Sequence, residues 1–150
     1  MDVHELTDFI REKWSDFNNA ERLDFKDYVK RNPWGPISAQ LEYTGVYVVY
    51  EGNKPIYVGS AGKGERPLKY RIADLFCYSS DSESDPFYHT LTEKLVKEKN
   101  MEDTQKALDE VREFYCEKCS FKVIKTGTVD LARMLEQVLI VLLGHPKYND

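Results

Sequence analysis

Four groups of residues in this chain have types and spacings that could do chemistry. Glu136 lies inside Met134-Leu-Glu-Gln-Val-Leu-Ile-Val-Leu-Leu143, a run that is apolar around most of a helix's circumference. Taking a carboxylate out of water costs several kcal/mol unless it is paired, hydrogen-bonded or bound to a metal. Glu136 therefore either reaches the rim of the core and pairs with Arg133, or serves as a ligand. Tyr43, Tyr47, Tyr50 and Tyr57 crowd two short segments, as aromatic packing or as a source of hydroxyl chemistry. Lys63, Arg66, Lys69 and Arg71 follow a loop in which Gly59, Gly62 and Gly64 allow close approach of a ligand to the backbone. A guanidinium offers two parallel donors to phosphate oxygens, so arginine beside tyrosine hydroxyls suits a phosphodiester. The glycine loop fits neither GxxxxGK[ST] nor GxGxxG, which argues against nucleotide cradling. Finally, Cys77, Cys116 and Cys119 could join His89 as four zinc ligands, but only one CxxC is present and the other candidates are scattered. An odd cysteine count fits free thiols in a reducing compartment better than a disulfide framework.

These groups need a small mixed fold to position them. Residues 3–17 carry Leu6, Phe9, Ile10, Trp14 and Phe17 at helical spacing, and residues 20–30 read as a shorter second helix entered through Asn18 and Glu21 as a capping pair. Pro33 and Pro36 then enforce a loop. Residues 43–50 and 56–58 are dense in β-branched and aromatic residues and read as a hairpin. Loop length decides where its tyrosines point. A loop of two or four residues sends Tyr47 and Tyr57 to opposite faces, whereas a three-residue loop of Glu51-Gly52-Asn53 makes them direct cross-strand neighbours. A helix follows Pro67 with Leu68, Ile72 and Leu75 buried. Two acidic helices are expected over 86–99 and 101–115, a third strand over 120–125, and a last helix over 131–143 between Thr128 or Asp130 and Gly144. That last helix should be buried on nearly every face.

Composition sets the outer limits. The chain has 150 residues, enough for one domain with its own core, and 41% hydrophobic with 13% aromatic residues excludes a disordered chain. No apolar run approaches a membrane span, and residues 1–5 lack the basic and apolar regions of a secretion signal, so a cytoplasmic, intracellular protein is expected. Lys plus Arg number 21 against 26 Asp plus Glu, a net charge of −5. That balance is uneven: 6 basic against 9 acidic residues over 1–42, 5 against 3 over 43–76, 6 against 11 over 77–118, and 4 against 3 over 119–150. The pattern predicts a narrow basic face between acidic flanks.

Gly45-Val-Tyr47, then Tyr57-Val-Gly59 after nine residues, then Arg71 on the next helix, Glu136 on a late one and Asn149 in His145-Pro-Lys-Tyr-Asn149 form an ordered set. In this it resembles the GIY-YIG nuclease family, with Ile replaced by Val in both name motifs. The resemblance covers residues 43–150, loosely across 77–118, and leaves 1–42 outside. It implies an α/β domain with a small three-stranded antiparallel sheet flanked by helices, here with an N-terminal helical extension at 1–42 packed on the domain and an acidic helical insertion at about 77–118. The implied activity is that of a divalent-metal-dependent endonuclease hydrolysing DNA phosphodiesters, with no membrane partner. Glu136 would bind one Mg²⁺ or Mn²⁺, Tyr47 would activate or hold the attacking water beside Tyr57, Arg71 would bind the scissile phosphate, and Asn149 would orient the site. Lys63, Arg66, Lys69 and Arg71 would contact nucleic acid. One departure stands out: many relatives have a histidine one turn after the arginine, where this chain has Leu75; His89 is a histidine that could compensate, though a lone histidine in a helix is more often structural or exposed. The alternative is a catalytically weak or inactive module that keeps the fold and binds nucleic acid or a partner.

Overall fold

In the computed structural model, which describes residues 1–61, 66–79 and 86–149, the amphipathic pattern of the first segment becomes helix α1, Val3–Asn19. The Asp2 carboxylate caps it by accepting from the Glu5 N–H at 2.8 Å. The second helix expected over 20–30 does not form. Leu23 instead exchanges both backbone hydrogen bonds with Phe121, at 2.7 and 3.0 Å, and only Phe25–Asp27 turns, as a 3-10 segment. Strand β1, Val29–Lys30, then pairs antiparallel with β2, Gly35–Pro36. A helix this short is marginal by itself, whereas the extended route places Phe25 in the core, stacked on Phe121 at 4.6 Å.

The hairpin is formed by β3, Gly45–Glu51, and β4, Lys54–Ser60, with Gly52 and Asn53 as a two-residue turn in which Gly52 takes φ +58°. Such a turn, continued regularly, would send Tyr57 to the face opposite Tyr47. A bulge intervenes. Glu51↔Lys54 and Tyr50↔Pro55 pair normally, but Val49 then pairs with Tyr57, so Ile56 is the extra residue. Tyr57 is thereby placed opposite Val49, on the Tyr47 face. The two phenols are diagonal neighbours with ring centroids 6.2 Å apart, while Tyr47 itself lies opposite Gly59. This differs from both simple loop readings.

β5, Cys119–Lys125, completes an antiparallel sheet of order β4-β3-β5. Helices cover both of its faces, which is why β3 is one continuous apolar run. Tyr47 and Val49 face the core shared with α2, Leu68–Asp74, α3, Thr90–Lys99, and α4, Thr104–Lys118. Val46, Val48 and Tyr50 face α1 and α5, Val129–Leu142. The fold is thus mixed α/β, with five α-helices and small antiparallel sheets among the described residues.

The burial of the helices departs from their sequence character in two ways. The acidic pair α3 and α4 is a core element on its inner side, where Leu91, Leu95, Leu108, Val111 and Tyr115 are buried. Conversely, α5 buries only the stripe Ala132, Leu135 and Leu139, and leaves Val141 63% and Leu142 50% exposed. Among the described residues no helix is long and apolar enough to cross a membrane.

Candidate active site

The glycines of the two short motifs are required by close backbone approach. A methyl group on Gly59 would overlap the ring and hydroxyl of Tyr47, and one on Gly45 would overlap the backbone carbonyl of Ile124. With Gly59 beneath it, the Tyr47 ring lies flat against β4 and is fully buried. Burial, with Tyr57 nearby, holds the Tyr47 hydroxyl well above the usual phenol pKa, and Arg71 only partly opposes this. Burial also raises Tyr57, while Arg71 lowers it through its charge and a hydrogen bond. Both phenols are protonated at neutral pH.

His89 is the neighbour that sequence reasoning left unplaced. It stands before α3 as its N-cap, where Nδ1 accepts from the Leu91 N–H at 3.0 Å. Burial, reinforced by Arg71, pushes its pKa well below the ordinary histidine value, so the ring is neutral. With Nδ1 accepting, the single proton belongs to Nε2, which donates to the Tyr47 oxygen at 2.5 Å. His89 is therefore a donor to Tyr47 and is not placed to act as its base. Its neighbour Tyr88 contributes its carbonyl, which accepts from Arg71 Nη1 at 3.0 Å. Two consecutive residues of the acidic segment 77–118 thus hold the tyrosine and the arginine. The helix expected over 86–99, which would hold His89 inside it, starts only at Thr90, and histidine is not a usual capping residue, so no local signal marks the position.

Arg71 projects from the last turn of α2. Asp74, one turn further, lies 3.5 Å from Arg71 Nη1 through one oxygen and 3.5 Å from Arg66 Nη2 through the other. Asp74 is buried, which raises its pKa, and the two guanidiniums counter that rise. Glu136 reaches the same centre from α5. Burial raises its carboxyl pKa, while hydrogen bonds from Gln137 and Ser60 and the charges of Arg71 and Arg133 stabilise the ionised form. Tyr57, Arg71 and Glu136, from β4, α2 and α5, lie close enough to affect one another's ionisation.

Asn149 acts on the backbone. Its Oδ1 accepts from the Val58 N–H at 2.7 Å and its Nδ2 donates to the Val58 carbonyl at 2.8 Å, while the Tyr148 N–H donates to Ile56 at 3.1 Å. The chain on either side of Tyr57 is thereby clamped just beyond the bulge.

The remaining candidates separate. Arg66 is at the site through Asp74 and lies 5.1 Å over the Tyr70 ring. Lys69 is tied to Glu42 at 2.5 Å. Lys63 falls outside the described residues. Cys77, Cys116 and Cys119 are free thiols, with burial raising Cys77 and pushing Cys119 up to about 12. Both nitrogens of His89 are engaged within the protein, and among the described residues no three or more His, Cys, Asp or Glu side chains form a group able to hold a metal. For a hard divalent cation, one carboxylate beside a hydroxyl is a chemically adequate donor set, because Mg²⁺ keeps several waters and shares its remaining positions with substrate phosphate.

Chemically, the arrangement offers a fork-shaped cation for phosphate, an inner phenol locked by an imidazole, an outer phenol beside the cation, and a half-buried carboxylate beside a serine hydroxyl. No family model, curated protein or solved structure matches this chain.

Proposed function

We propose that this protein is a divalent-metal-dependent endonuclease of the GIY-YIG type that hydrolyses DNA phosphodiester bonds. The observation that carries the reading is the convergence of Tyr57, Arg71 and Glu136, from three separate elements, beside the buried Tyr47–His89 pair. Arg71 binds the scissile phosphate with its planar fork. Tyr57 holds the attacking water, since Tyr47 is fully buried and stands behind it. Tyr47, held by His89, packs on Tyr57 with ring centroids 6.2 Å apart and so fixes its position, and the Arg71 guanidinium is the group that would support a Tyr57 phenolate. Glu136, with Ser60 beside it, would hold Mg²⁺ or Mn²⁺. The bound ion would supply charge neutralisation at the leaving oxygen. The charges of the site suit a phosphodiester: Arg66, Arg71 and Arg133 exceed Asp74 and Glu136 by one, and a divalent cation held by Glu136 would add to that excess.

The test is nicking of supercoiled plasmid in Mg²⁺ or Mn²⁺, with and without EDTA, by the wild type and by Glu136→Gln. Loss of nicking in both EDTA and the variant is expected. Undiminished cleavage by pure Glu136→Gln protein would falsify the assignment. One observation favours a binding module instead: Arg71 is already engaged by Asp74 and the Tyr88 carbonyl. A gel shift with no nicking on any substrate would select that reading.

A further inference from the structure

We propose that the cavity behind Arg71 is a pocket for one unpaired nucleobase, and hence that the substrate is nucleic acid that is single-stranded or locally unpaired next to the scissile phosphate. This rests on the nuclease reading of the site. The cavity, of about 390 Å³, is lined by Trp34, Tyr78, Tyr88, Asp74 and Arg112. Asp74 and Tyr88 are the residues that hold Arg71, so the pocket and the phosphate-binding guanidinium share a wall. A base in the pocket and its own phosphate on Arg71 belong to one nucleotide or to adjacent ones.

The lining fits a flat aromatic ring with a polar edge. Trp34 is stacked on Phe76 at 5.0 Å and carries the Arg112 guanidinium 5.0 Å and the Arg31 guanidinium 5.6 Å over its ring, and Tyr78 packs on Phe87 at 5.2 Å, so these walls are held in place and Tyr88 supplies the open stacking face. Tyr88 is 51% exposed and makes none of the ring or cation contacts found among the described residues, which leaves its face for stacking. Base-on-aromatic stacking accepts any base. The polar groups then select the class of ring. The Asp74 carboxylate is an acceptor. Arg112 is a donor, held by the Phe76 carbonyl at 2.9 Å and by Asp109 at 3.2 Å, with guanidinium hydrogens beyond those two bonds. An acceptor and a donor in one pocket match the neighbouring donor and acceptor that every nucleobase edge presents. They disfavour a carboxylate, which Asp74 repels, and an organic cation, which Arg112 repels. A base inside a duplex cannot reach such a pocket without leaving its stack.

The test uses the whole chain carrying Trp14→Phe, so that Trp34 is the remaining tryptophan, with EDTA present to prevent cleavage. Trp34 fluorescence is titrated with deoxyadenosine 5′-monophosphate and with 2-deoxyribose 5-phosphate. The nucleotide is expected to bind at least about fivefold more tightly. Tyr88→Ala should abolish that preference and Tyr88→Phe should retain it. Equal response to nucleotide and sugar phosphate, or a preference unchanged in Tyr88→Ala, overturns the pocket. The two readings fail separately. Metal-dependent nicking with a base-independent Trp34 response removes the pocket and leaves the nuclease, whereas base-dependent binding without nicking sustains the pocket and removes the nuclease.

Discussion

His89 donates a hydrogen bond to the Tyr47 oxygen, and its direction is fixed because the other ring nitrogen already accepts from the Leu91 N–H. The pair needs a neutral imidazole, and this gives the protein an acid limit. For a base whose folded pKa is depressed, the unfolded state binds more protons once pH falls below its own value of about 6.5. The stabilisation is therefore complete above about pH 6.5 and declines below it, by up to about 1.4 kcal/mol per pH unit. Urea unfolding of wild type and His89→Gln between pH 5 and 8 checks this. The difference between the two should shrink on acidification; a constant difference would contradict the neutral-donor assignment.

Tyr57 and Tyr47 should respond differently to loss of their hydroxyls. Tyr57→Phe is expected to leave thermal stability nearly unchanged while reducing nicking by about 100-fold, within the range of a lost proton-handling group. Tyr47→Phe leaves the buried His89 N–H without its acceptor and should cost about 1–3 kcal/mol of stability. Thermal melts run beside single-turnover cleavage separate the two effects, and identical profiles for the two variants would reject this division of roles.

Gly59→Ala drives a methyl group into the Tyr47 ring, which cannot retreat from a buried position. A loss of about 1–3 kcal/mol, as for overpacked cores, is expected along with impaired nicking. Gly52→Ala provides the contrast. Nothing lies within 4 Å of that methyl, so its penalty comes from φ +58° alone, and cleavage should remain at the wild-type rate.

Asn149→Ala removes both bonds to Val58, and about 1–3 kcal/mol of stability should go with them. Because the clamp adjoins Tyr57, nicking should fall more than the stability loss alone explains. Cleavage measured well below the melting temperature, where the variant is folded, distinguishes the two.

The parts of the fold written in local pattern were readable: the hairpin strands, Pro67 before α2, Thr128 as the cap of α5 and Gly144 beyond its end. The parts decided by tertiary partners were not. Residues 20–30 have enough helix formers to suggest a helix, but Phe121 offers a sheet edge and an aromatic face that a short helix could not match. The bulge at Ile56 has one local mark, Pro55 beside it, which fits a plain edge strand equally well, and without the bulge the two-residue turn would separate the phenols. α5 reads as buried all round, yet it packs chiefly on β3 and β4 through one stripe and leaves Val141 and Leu142 exposed. At the site, Tyr47, Tyr57, Arg71, Glu136 and Asn149 could be named from order and spacing. His89 and Tyr88 could not be assigned there, because their approach to Tyr47 and Arg71 depends on how α3 docks.

The sheet has two outer strands, and each is met at its open side by residues from elsewhere in the chain. Leu23 takes a backbone pair on β5 and the Asn149 side chain imitates one on β4. Unpaired outer strands invite pairing with other molecules. These two residues are thus also a barrier to self-association: a sheet of only three strands is kept from recruiting a fourth from a neighbouring copy. Loss of the Asn149 amide would free the Val58 backbone, so its cost should appear in light scattering at high protein concentration as well as in a melting curve.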